Sequence, residues 1–525
     1  MSDRLRMTGL ASGMDTQSIV EQLVEVQSYK KKDLKNDQTK LGWKQEAWKT
    51  LNSKIYNFYN NQIGEMRFES YLNKKKASIV DSAIATVSAD NSAVNGVQTL
   101  AVKSLAKSAY VTGNKLQGKT SGSTVGSVMG ENFTEQNIKL YKNADDKTGT
   151  EIKITSSMTL EDVADEFAKA GINASFDDNN NRFFLSAKES GKDAQFRFAV
   201  LDDEGKWSED EADNNDLLKG LGITQSGGAK VIEGADAEIE LNGATFVSKD
   251  NNFKINGLSI TATKVSDYEL VDKNGEDTPE NRVYTTTNIS TDTDVDGIYD
   301  TIKNFFKEYN DLINEMSKLY NAENAKDYKV LTDEEKEKMS DDEVEKWESK
   351  IKDSLLRRDD NLKTAMDTLR NGMTASFDIN GKKYSLATFG ISTLSYFESA
   401  ENEKYALHID GNKDDTATAN HKDLLRTAIT DDLESLQQFM KQMTGDIYSK
   451  MTTQMKSSEY RSVYSMYDDK ALQKEYDQYT EDIKKEEERI SNFEDKWYDK
   501  FAAMESAMEK MNSKTSALSS LLGMQ

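Results

Sequence analysis

Apolar side chains near the start of the chain recur with the spacing of an amphipathic helix. Ile19, Leu23 and Val26 fall at positions i, i+4 and i+7. Further along, apolar residues recur every seven positions, with two others three residues later, and this set is Leu34, Leu41, Trp48, Leu51, Ile55 and Phe58. Heptad spacing is typical of the contact stripe, or seam, of paired helices. The pattern predicts a long helix from Ile19 to about residue 71.

The C-terminal end repeats this spacing over about five heptads without Pro or Gly. Its apolar positions are Ile483, Ile490, Trp497, Met504, Met511 and Leu518, with Phe501, Met508 and Leu522 beside them. A helix of that length would be on the order of 55–60 Å long. An apolar stripe along it has to pack on another helix, in the same chain or in a neighbour.

Between the two ends the pattern changes to strand-like alternation. Alternating runs occur at 96–102, 173–185 and 236–264. The stretch 113–150 is rich in Gly, Ser, Thr and Lys, which predicts a loop or a mobile segment. The acid- and lysine-rich run at 332–348 predicts a solvated helix.

Because both helical ends must return to one helical body, we expect an α+β multidomain fold. Long paired N- and C-terminal helices would form a coiled-coil-like leg, and a β-rich α+β head would be inserted between them. The expected domains are terminal helical segments at 1–40 and 484–525, a helical leg with a small β segment at 41–76 and 293–483, a β-rich head domain at 77–114 and 231–292, and an inserted α+β head domain at 115–230.

Charge and composition exclude several function classes. The 525 residues carry a formal net charge of -24, so a nucleic acid or an anionic membrane surface would be repelled. No run of 18 apolar residues exists, which predicts no membrane insertion. The first ten residues lack the apolar centre of a signal peptide. The absence of cysteine rules out disulfides, thiolate metal sites and thiol catalysis.

No motif predicts a catalytic, cofactor-binding or metal site. His408 and His421 lie in no metal spacing or triad that the sequence shows. Asp292–Gly297 begins like a calcium loop, but the twelfth position is Lys303, where a bidentate acid is required. No glycine-rich nucleotide loop follows a strand. We therefore expect no enzyme activity, no cofactor and no metal.

Short motifs follow one another in order from residue 9 to residue 522. They are Gly9–Thr16 with Ile19–Leu23, Thr159–Val163 with Gly171–Ala174, Tyr309–Ile313, Phe389–Ser392, Tyr405–Asp410 and Phe501–Leu522. In this order, and with the helix–head–helix plan, the chain resembles the flagellar filament cap family, also called hook-associated protein 2 (FliD). The segments 113–150 and 321–350 have no counterpart in the resemblance.

The resemblance implies a secreted assembly factor. Subunits would leave the cell through the flagellar secretion channel, without a cleaved signal peptide and after contact with an export chaperone. Outside, they would form a homo-oligomeric ring, a pentamer, at the filament tip, beside neighbouring hook-associated proteins. The ring would hold exported flagellin, let it fold and insert it into the filament, so that flagellin is not lost to the medium.

Two sets of residues follow from this interpretation. Packing of the leg and self-assembly are assigned to Leu34, Leu41, Trp48, Leu51, Ile55, Phe58, Ile483, Ile490 and Trp497. Contact with flagellin or another partner is assigned to Leu10, Met14, Ile19, Leu23, Met504, Met508, Met511, Leu518 and Leu522.

Other function classes remain open at this point. A hook–filament junction protein or a divergent flagellin also has paired terminal helices, although its usual opening motif is not found here. A tip adhesin could coexist with capping, and 113–150 would be the segment to delete. A secreted hydrolase has only the surplus of carboxylates in its favour.

Overall fold

The computed structural model describes residues 13–130, 132–395 and 397–521. Two of the residues assigned to partner contact, Leu10 and Leu522, lie outside these ranges, as does the start of the Gly9–Thr16 motif. The chain begins with α1 (Thr16–Asn57), followed by a π-helical turn (Phe58–Ile63) and α2 (Gly64–Met66). The Asp15 side chain accepts a hydrogen bond from the backbone N–H of Ser18, which caps the start of α1.

Residues 73–294 form one structural unit. Its elements are β1 (Lys75–Ile79), β2 (Ala85–Ala89), β3 (Gly96–Ser104), β4 (Tyr110–Thr112), α3 (Val125–Met129), β5 (Glu135–Tyr141), β6 (Thr150–Thr155), α4 (Leu160–Lys169), β7 (Asn173–Asp177), β8 (Arg182–Ser186), β9 (Arg197–Leu201), β10 (Trp207–Ser208), α5 (Asp216–Gly220), β11 (Lys230–Ile232), β12 (Ala237–Leu241), β13 (Ala244–Ser248), β14 (Asn252–Ile255), β15 (Leu258–Ala262), β16 (Tyr268–Leu270), β17 (Arg282–Tyr284) and β18 (Thr287–Thr293).

Two hydrophobic cores hold this unit together. A five-stranded sheet, in the order β1-β18-β3-β12-β13, packs on a three-stranded sheet, β14-β15-β2, around Leu100, Ile239 and Ile260. Two four-stranded sheets, β10-β9-β5-β6 and β11-β4-β8-β7, surround the second core together with α4. The last pair, β16-β17, forms a separate two-stranded ribbon.

The prediction of a loop or mobile segment at 113–150 is wrong. This stretch contains α3 and β5, and β5 is a central strand paired with both β6 and β9. Ile138 and Leu140 of β5 are completely buried. Their alternation with polar residues is the ordinary signature of a half-buried strand, which the surrounding Gly, Ser and Thr residues concealed.

The remaining elements form a second unit with α1 and α2. They are α6 (Val295–Tyr320), α7 (Asp333–Lys336), α8 (Asp341–Asp353), α9 (Asp360–Met373), β19 (Phe377–Ile379), β20 (Lys382–Tyr384), β21 (Ile391–Ser392), β22 (His408–Ile409), α10 (Leu424–Asp431), α11 (Leu433–Gln454) and α12 (Asp469–Leu521). The core of this unit is formed mainly by α1, α6, α9 and α11. No helix among the described residues is long and apolar enough to cross a bilayer.

The single helix expected at 332–348 is instead divided into α7 and α8. Thr332 with Glu335, and Ser340 with Glu343, each form a capping box. A capping box satisfies the free backbone N–H groups at a helix start, so the second one begins a new helix at Ser340. With long terminal helices and a β-rich middle, the observed architecture confirms the predicted fold class.

Candidate interaction site on the paired terminal helices

Helices α1 and α12 lie antiparallel, and polar contacts between them define the register. The ammonium of Lys30 lies 2.6 Å from the Glu486 carboxylate, and the amide of Gln38 donates to the Thr480 hydroxyl at 2.6 Å. Towards the start of α1, the guanidinium of Arg489 donates to the Gln27 side chain at 2.9 Å. Residue numbers therefore rise along α1 as they fall along α12.

Apolar residues at heptad spacing fill the contact between the two helices. Leu41, Ile483 and Ile490 are each 8% exposed, while Leu34 and Trp497 are half-buried. Gly42 lies under Tyr476, since a Cβ at Gly42 would be 3.5 Å from the tyrosine ring. The heptad pattern thus brings Leu41, Ile483 and Ile490 to the buried side of this helix pair.

The second half of the α1 stripe continues into the core of the helical unit. Trp48, Leu51, Ile55 and Phe58 are at most 4% exposed and belong to one core cluster with residues of α6, α9 and α11. Their partners are therefore mainly helices from the middle of the chain, and the two-helix seam is confined to the residues before Trp48.

The seam also contains a group of opposite charges around Glu486. The Glu486 carboxylate accepts hydrogen bonds from Lys30 at 2.6 Å and from the Nε of Arg489 at 2.7 Å. The hydrogen bond from Lys30, and after it that from Arg489, holds the pKa of Glu486 below its usual range, because both stabilise the charged carboxylate. Lys31 and Lys35 add weaker ion pairs to Glu487, at 3.7 and 3.9 Å.

Acidification is expected to weaken this helix pair. The pKa of Glu486 is lower in the folded chain than its ordinary value of 4.5. Its contribution to stability is therefore present above that value and is lost as the pH falls through the folded pKa. The urea midpoint of the helical circular-dichroism signal should show this loss between about pH 5 and pH 3 in the wild type.

The variant Glu486→Gln should be less stable than the wild type at neutral pH and should approach it in acid. Glu488→Gln is the matched control, since Glu488 is exposed on the same helix. Equal pH dependence in the wild type and in Glu486→Gln would contradict the role assigned to this carboxyl.

The far end of α12 extends past the start of α1. Continuing the register of Lys30 and Glu486 places Thr16, the first residue of α1, beside about residue 500. Beyond that point, Met504 and Met508 are half-buried, while Met511 and Leu518 are 65% and 61% exposed. The last five turns of α12 therefore carry an apolar stripe beside which no described helix lies.

The start of α1 adds further apolar surface. Met14 and Ile19 are 39% and 38% exposed, and Leu23 is half-buried. The residues assigned to partner contact by sequence are thus exposed or half-buried wherever the structure describes them. Leu10 and Leu522 lie outside the described residues.

Sequence reasoning missed two features of α1. Val20 is completely buried although it was not assigned to the seam. It lies seven residues before Gln27, and the same heptad position continues at Leu34 and Leu41, so this spacing could have identified it. Val26 and Tyr29 are 59% and 58% exposed, and so they extend the apolar surface near Ile19.

Within residues 13–130, 132–395 and 397–521, no group of three or more His, Asp or Glu side chains is arranged to hold a metal ion. His408 and His421 each pair with one carboxylate, Asp415 at 2.6 Å and Asp410 at 2.7 Å.

Comparison with known proteins identifies similar chains. The family model described as Flagellar hook-associated protein 2 C-terminus matches residues 234–513, and that of the N-terminus matches residues 12–109. A flagellar hook-associated protein 2 from Halalkalibacterium halodurans is 23% identical over 490 residues, covering 88% of this chain and 84% of that protein. An A-type flagellar hook-associated protein 2 from Pseudomonas aeruginosa is 24% identical and covers 61% and 64% of the two chains.

The fold is similar to that of a solved structure, the D1-D2-D3 domains of the flagellar cap protein FliD from Escherichia coli. The TM-score is 0.50 at 15% identity, and the match covers 78% of this chain and 96% of that one. This likeness concerns the fold alone.

Proposed function

Because the chain belongs to the flagellar hook-associated protein 2 family, we propose that it caps the growing end of a bacterial flagellar filament. This family consists of structural flagellar cap proteins, not of enzymes, and its place is the flagellar tip. The finer proposal is a homo-oligomeric ring, a pentamer, that lets exported flagellin fold and inserts it into the filament.

The observation that carries the proposal is the apolar stripe at the end of α12. Met511 and Leu518 are more than half exposed, and a stripe of this length on one helix usually marks an interface. Flagellin is the proposed partner, because a cap has to hold the subunit that it inserts. Methionine suits this surface, since its flexible side chain can repack against successive subunits.

Further partners are proposed for the export of the chain and for its arrival at the filament. We propose that an export chaperone binds the chain before secretion and that the flagellar channel carries it out without a cleaved signal peptide. At the filament, neighbouring hook-associated proteins are further proposed partners.

The first test is deletion of the gene. Cells without the protein should lose their filaments while intact flagellin appears in the medium, and a plasmid-borne copy should restore the filaments. This result requires that export continues and that assembly at the tip fails. Filaments of normal length in the deletion strain would contradict capping and would favour a junction protein or an adhesin.

The second test addresses the α12 stripe itself. The double variant Met511→Asp, Leu518→Asp should fail to restore filaments, because charges would replace the apolar contact surface. Its melting temperature should equal that of the wild type, since both side chains are exposed. Val94→Asp is the matched control at 61% exposure, and it should restore filaments fully. Normal filaments with the double variant would exclude this stripe as the flagellin contact.

A further inference from the structure

The ribbon of β16 and β17 stands outside both hydrophobic cores of its unit. Tyr268 lies opposite Tyr284, Glu269 opposite Val283, and Leu270 opposite Arg282. Within the described residues, no apolar side chain of this ribbon belongs to a core cluster. A two-stranded ribbon on its own is marginally stable in water, so a ribbon of this kind gains from a further surface that covers it.

On one face of the ribbon, aromatic and charged side chains contact one another. The Tyr268 and Tyr284 rings lie 5.5 Å apart, and the Arg282 guanidinium lies 4.4 Å from the centre of the Tyr268 ring. The Nε of Arg282 also donates to the Asp277 carboxylate at 2.5 Å. These contacts order the ribbon, and Tyr268 on this face stays 38% exposed.

The opposite face presents two valines to solvent. Because side chains alternate along a strand, Glu269, Val271 and Val283 share this face. Val271 is 69% exposed and Val283 is 61% exposed. They are diagonal neighbours across the ribbon, since the backbone N–H of Val271 donates to Asn281, two residues before Val283.

A second apolar patch lies on the sheet β11-β4-β8-β7. Val111 and Leu185 point into the core, so Tyr110 and Phe184 on the same strands point outwards. Their rings lie 6.4 Å apart, and Ile232 on the edge strand β11, opposite Tyr110, is 50% exposed. We call Ile232, Tyr110 and Phe184 the outer patch.

Each of the two surfaces carries one charge that makes no ion pair with a described residue, and the two charges are of opposite sign. Between residues 267 and 285 the ribbon carries the acids Asp267, Glu269, Asp272, Glu276, Asp277 and Glu280, against the bases Lys273 and Arg282. Beside the outer patch, Lys230 makes no ion pair with any described residue, and the same holds for Glu269 on the ribbon. An unpaired carboxylate and an unpaired ammonium at two apolar patches favour association in one orientation.

We propose that the Val271–Val283 face of the ribbon packs on the outer patch of a second copy of this chain, with Glu269 beside Lys230. Val271, Val283 and Ile232 are at least half exposed in one chain, while Tyr110 and Phe184 are half-buried, so the two surfaces do not cover each other within it. Two different surfaces that meet in this way form a heterologous contact. Such contacts close into a ring when the rotation that relates neighbouring subunits adds up to a full turn. The proposal rests on the ring proposed above and names the surfaces that join its subunits.

Disulfide trapping tests this contact, because the natural chain contains no cysteine. The variant Val283→Cys, Ile232→Cys should give a ladder of covalently linked oligomers under mild oxidation, since a disulfide forms only where the two Cβ atoms lie within about 4.5 Å. Each single variant should give no species larger than a dimer. A double variant that stops at dimers would overturn the proposal.

Val283→Cys with Val247→Cys is the matched control pair. Val247 is also a valine that is 61% exposed, and it lies on β13, the edge strand of the five-stranded sheet. A ladder of equal yield from this pair would show random collision and would overturn the assignment. A wild-type chain that stays monomeric in light scattering would contradict the ring and this contact together, whereas ring-sized wild type without a ladder would contradict the contact alone.

A charge exchange gives an independent readout. Lys230→Glu and Glu269→Lys should each weaken self-association by about threefold to tenfold, because each places like charges at the contact. The combined variant Lys230→Glu, Glu269→Lys should return the dissociation constant to near that of the wild type. Additive weakening in the combined variant would show that these two residues do not meet.

Discussion

Replacing Trp48 with Ala is expected to lower the free energy of unfolding of the helical unit by about 3–5 kcal/mol. Trp48 is 1% exposed, and its ring stacks on Tyr467 with the centroids 5.0 Å apart. Its indole Nε1 donates to the Asp359 carboxylate, which also accepts hydrogen bonds from the first backbone N–H groups of α9. The substitution would leave a cavity where three segments of the chain meet.

The measurement is urea unfolding followed by the helical circular-dichroism signal. Trp497→Ala is the matched control, since Trp497 is only half-buried and its ring contacts, Phe493 and Phe501, lie on its own helix. Trp497→Ala should lower the free energy of unfolding by less than about half as much as Trp48→Ala, because a smaller area of the Trp497 side chain is buried. An equal loss in the two variants would place Trp497 in a packed core and contradict its observed exposure.

Gly372→Ala is expected to destabilise the same unit by about 1–3 kcal/mol, the cost of overpacking a filled core. Gly372 lies within α9, where Ala would ordinarily stabilise the helix by up to about 1 kcal/mol. Here the added Cβ would lie 2.2 Å from the Cγ1 of Ile447 and 2.8 Å from its Cδ1. This approach is much shorter than van der Waals contact, so α9 and α11 would have to move apart.

Gly445→Ala is the control for this effect. Gly445 is also within a helix, α11, but a Cβ there would meet no atom within 4 Å. The control should therefore stabilise the protein by about 0.5–1 kcal/mol through helix propensity. Stabilisation by both substitutions would mean that the contact between α9 and α11 is looser than the structure indicates.

Much of the fold could be predicted from local patterns. The heptads containing Leu41 and Ile490 predict long amphipathic helices, because the 3.6-residue period of a helix appears directly in the order of apolar side chains. The alternating run at 173–185 predicts strands in the same way, and the structure has the antiparallel pair β7 and β8 there. Patterns of this kind are local, and so they can be recognised without knowing which segments of the chain pack together.

The candidate site was predicted only as far as local patterns reach. Periodicity treats Trp48 and Trp497 alike, since both occupy heptad positions. Their surroundings differ, because Trp48 shares a core cluster with residues of α6, α9 and α11, while Trp497 on α12 is only half-buried. Which part of a stripe becomes core depends on helices that are hundreds of residues away in sequence.

The segment 113–150 illustrates the same limit for the head. Gly, Ser and Thr favour loops on average, yet Ile138 and Leu140 are buried because β6 and β9 pair with β5 on either side. Pairing between strands separated by some sixty residues cannot be seen in composition. The adhesin hypothesis assigned to this stretch therefore cannot be tested by deleting it, since the deletion would remove a central strand.

By itself, the sequence determined the class of the protein: a cysteine-free, acidic chain with long terminal helices, a β-rich insertion and the ordered motifs of one family. These properties follow from residue type and short-range spacing. Only the tertiary structure decided that α12 extends beyond α1, that Val271 and Val283 are exposed to solvent, and that Trp48 is buried in the core. Burial depends on which distant segments meet, and that is a property of the whole packed chain.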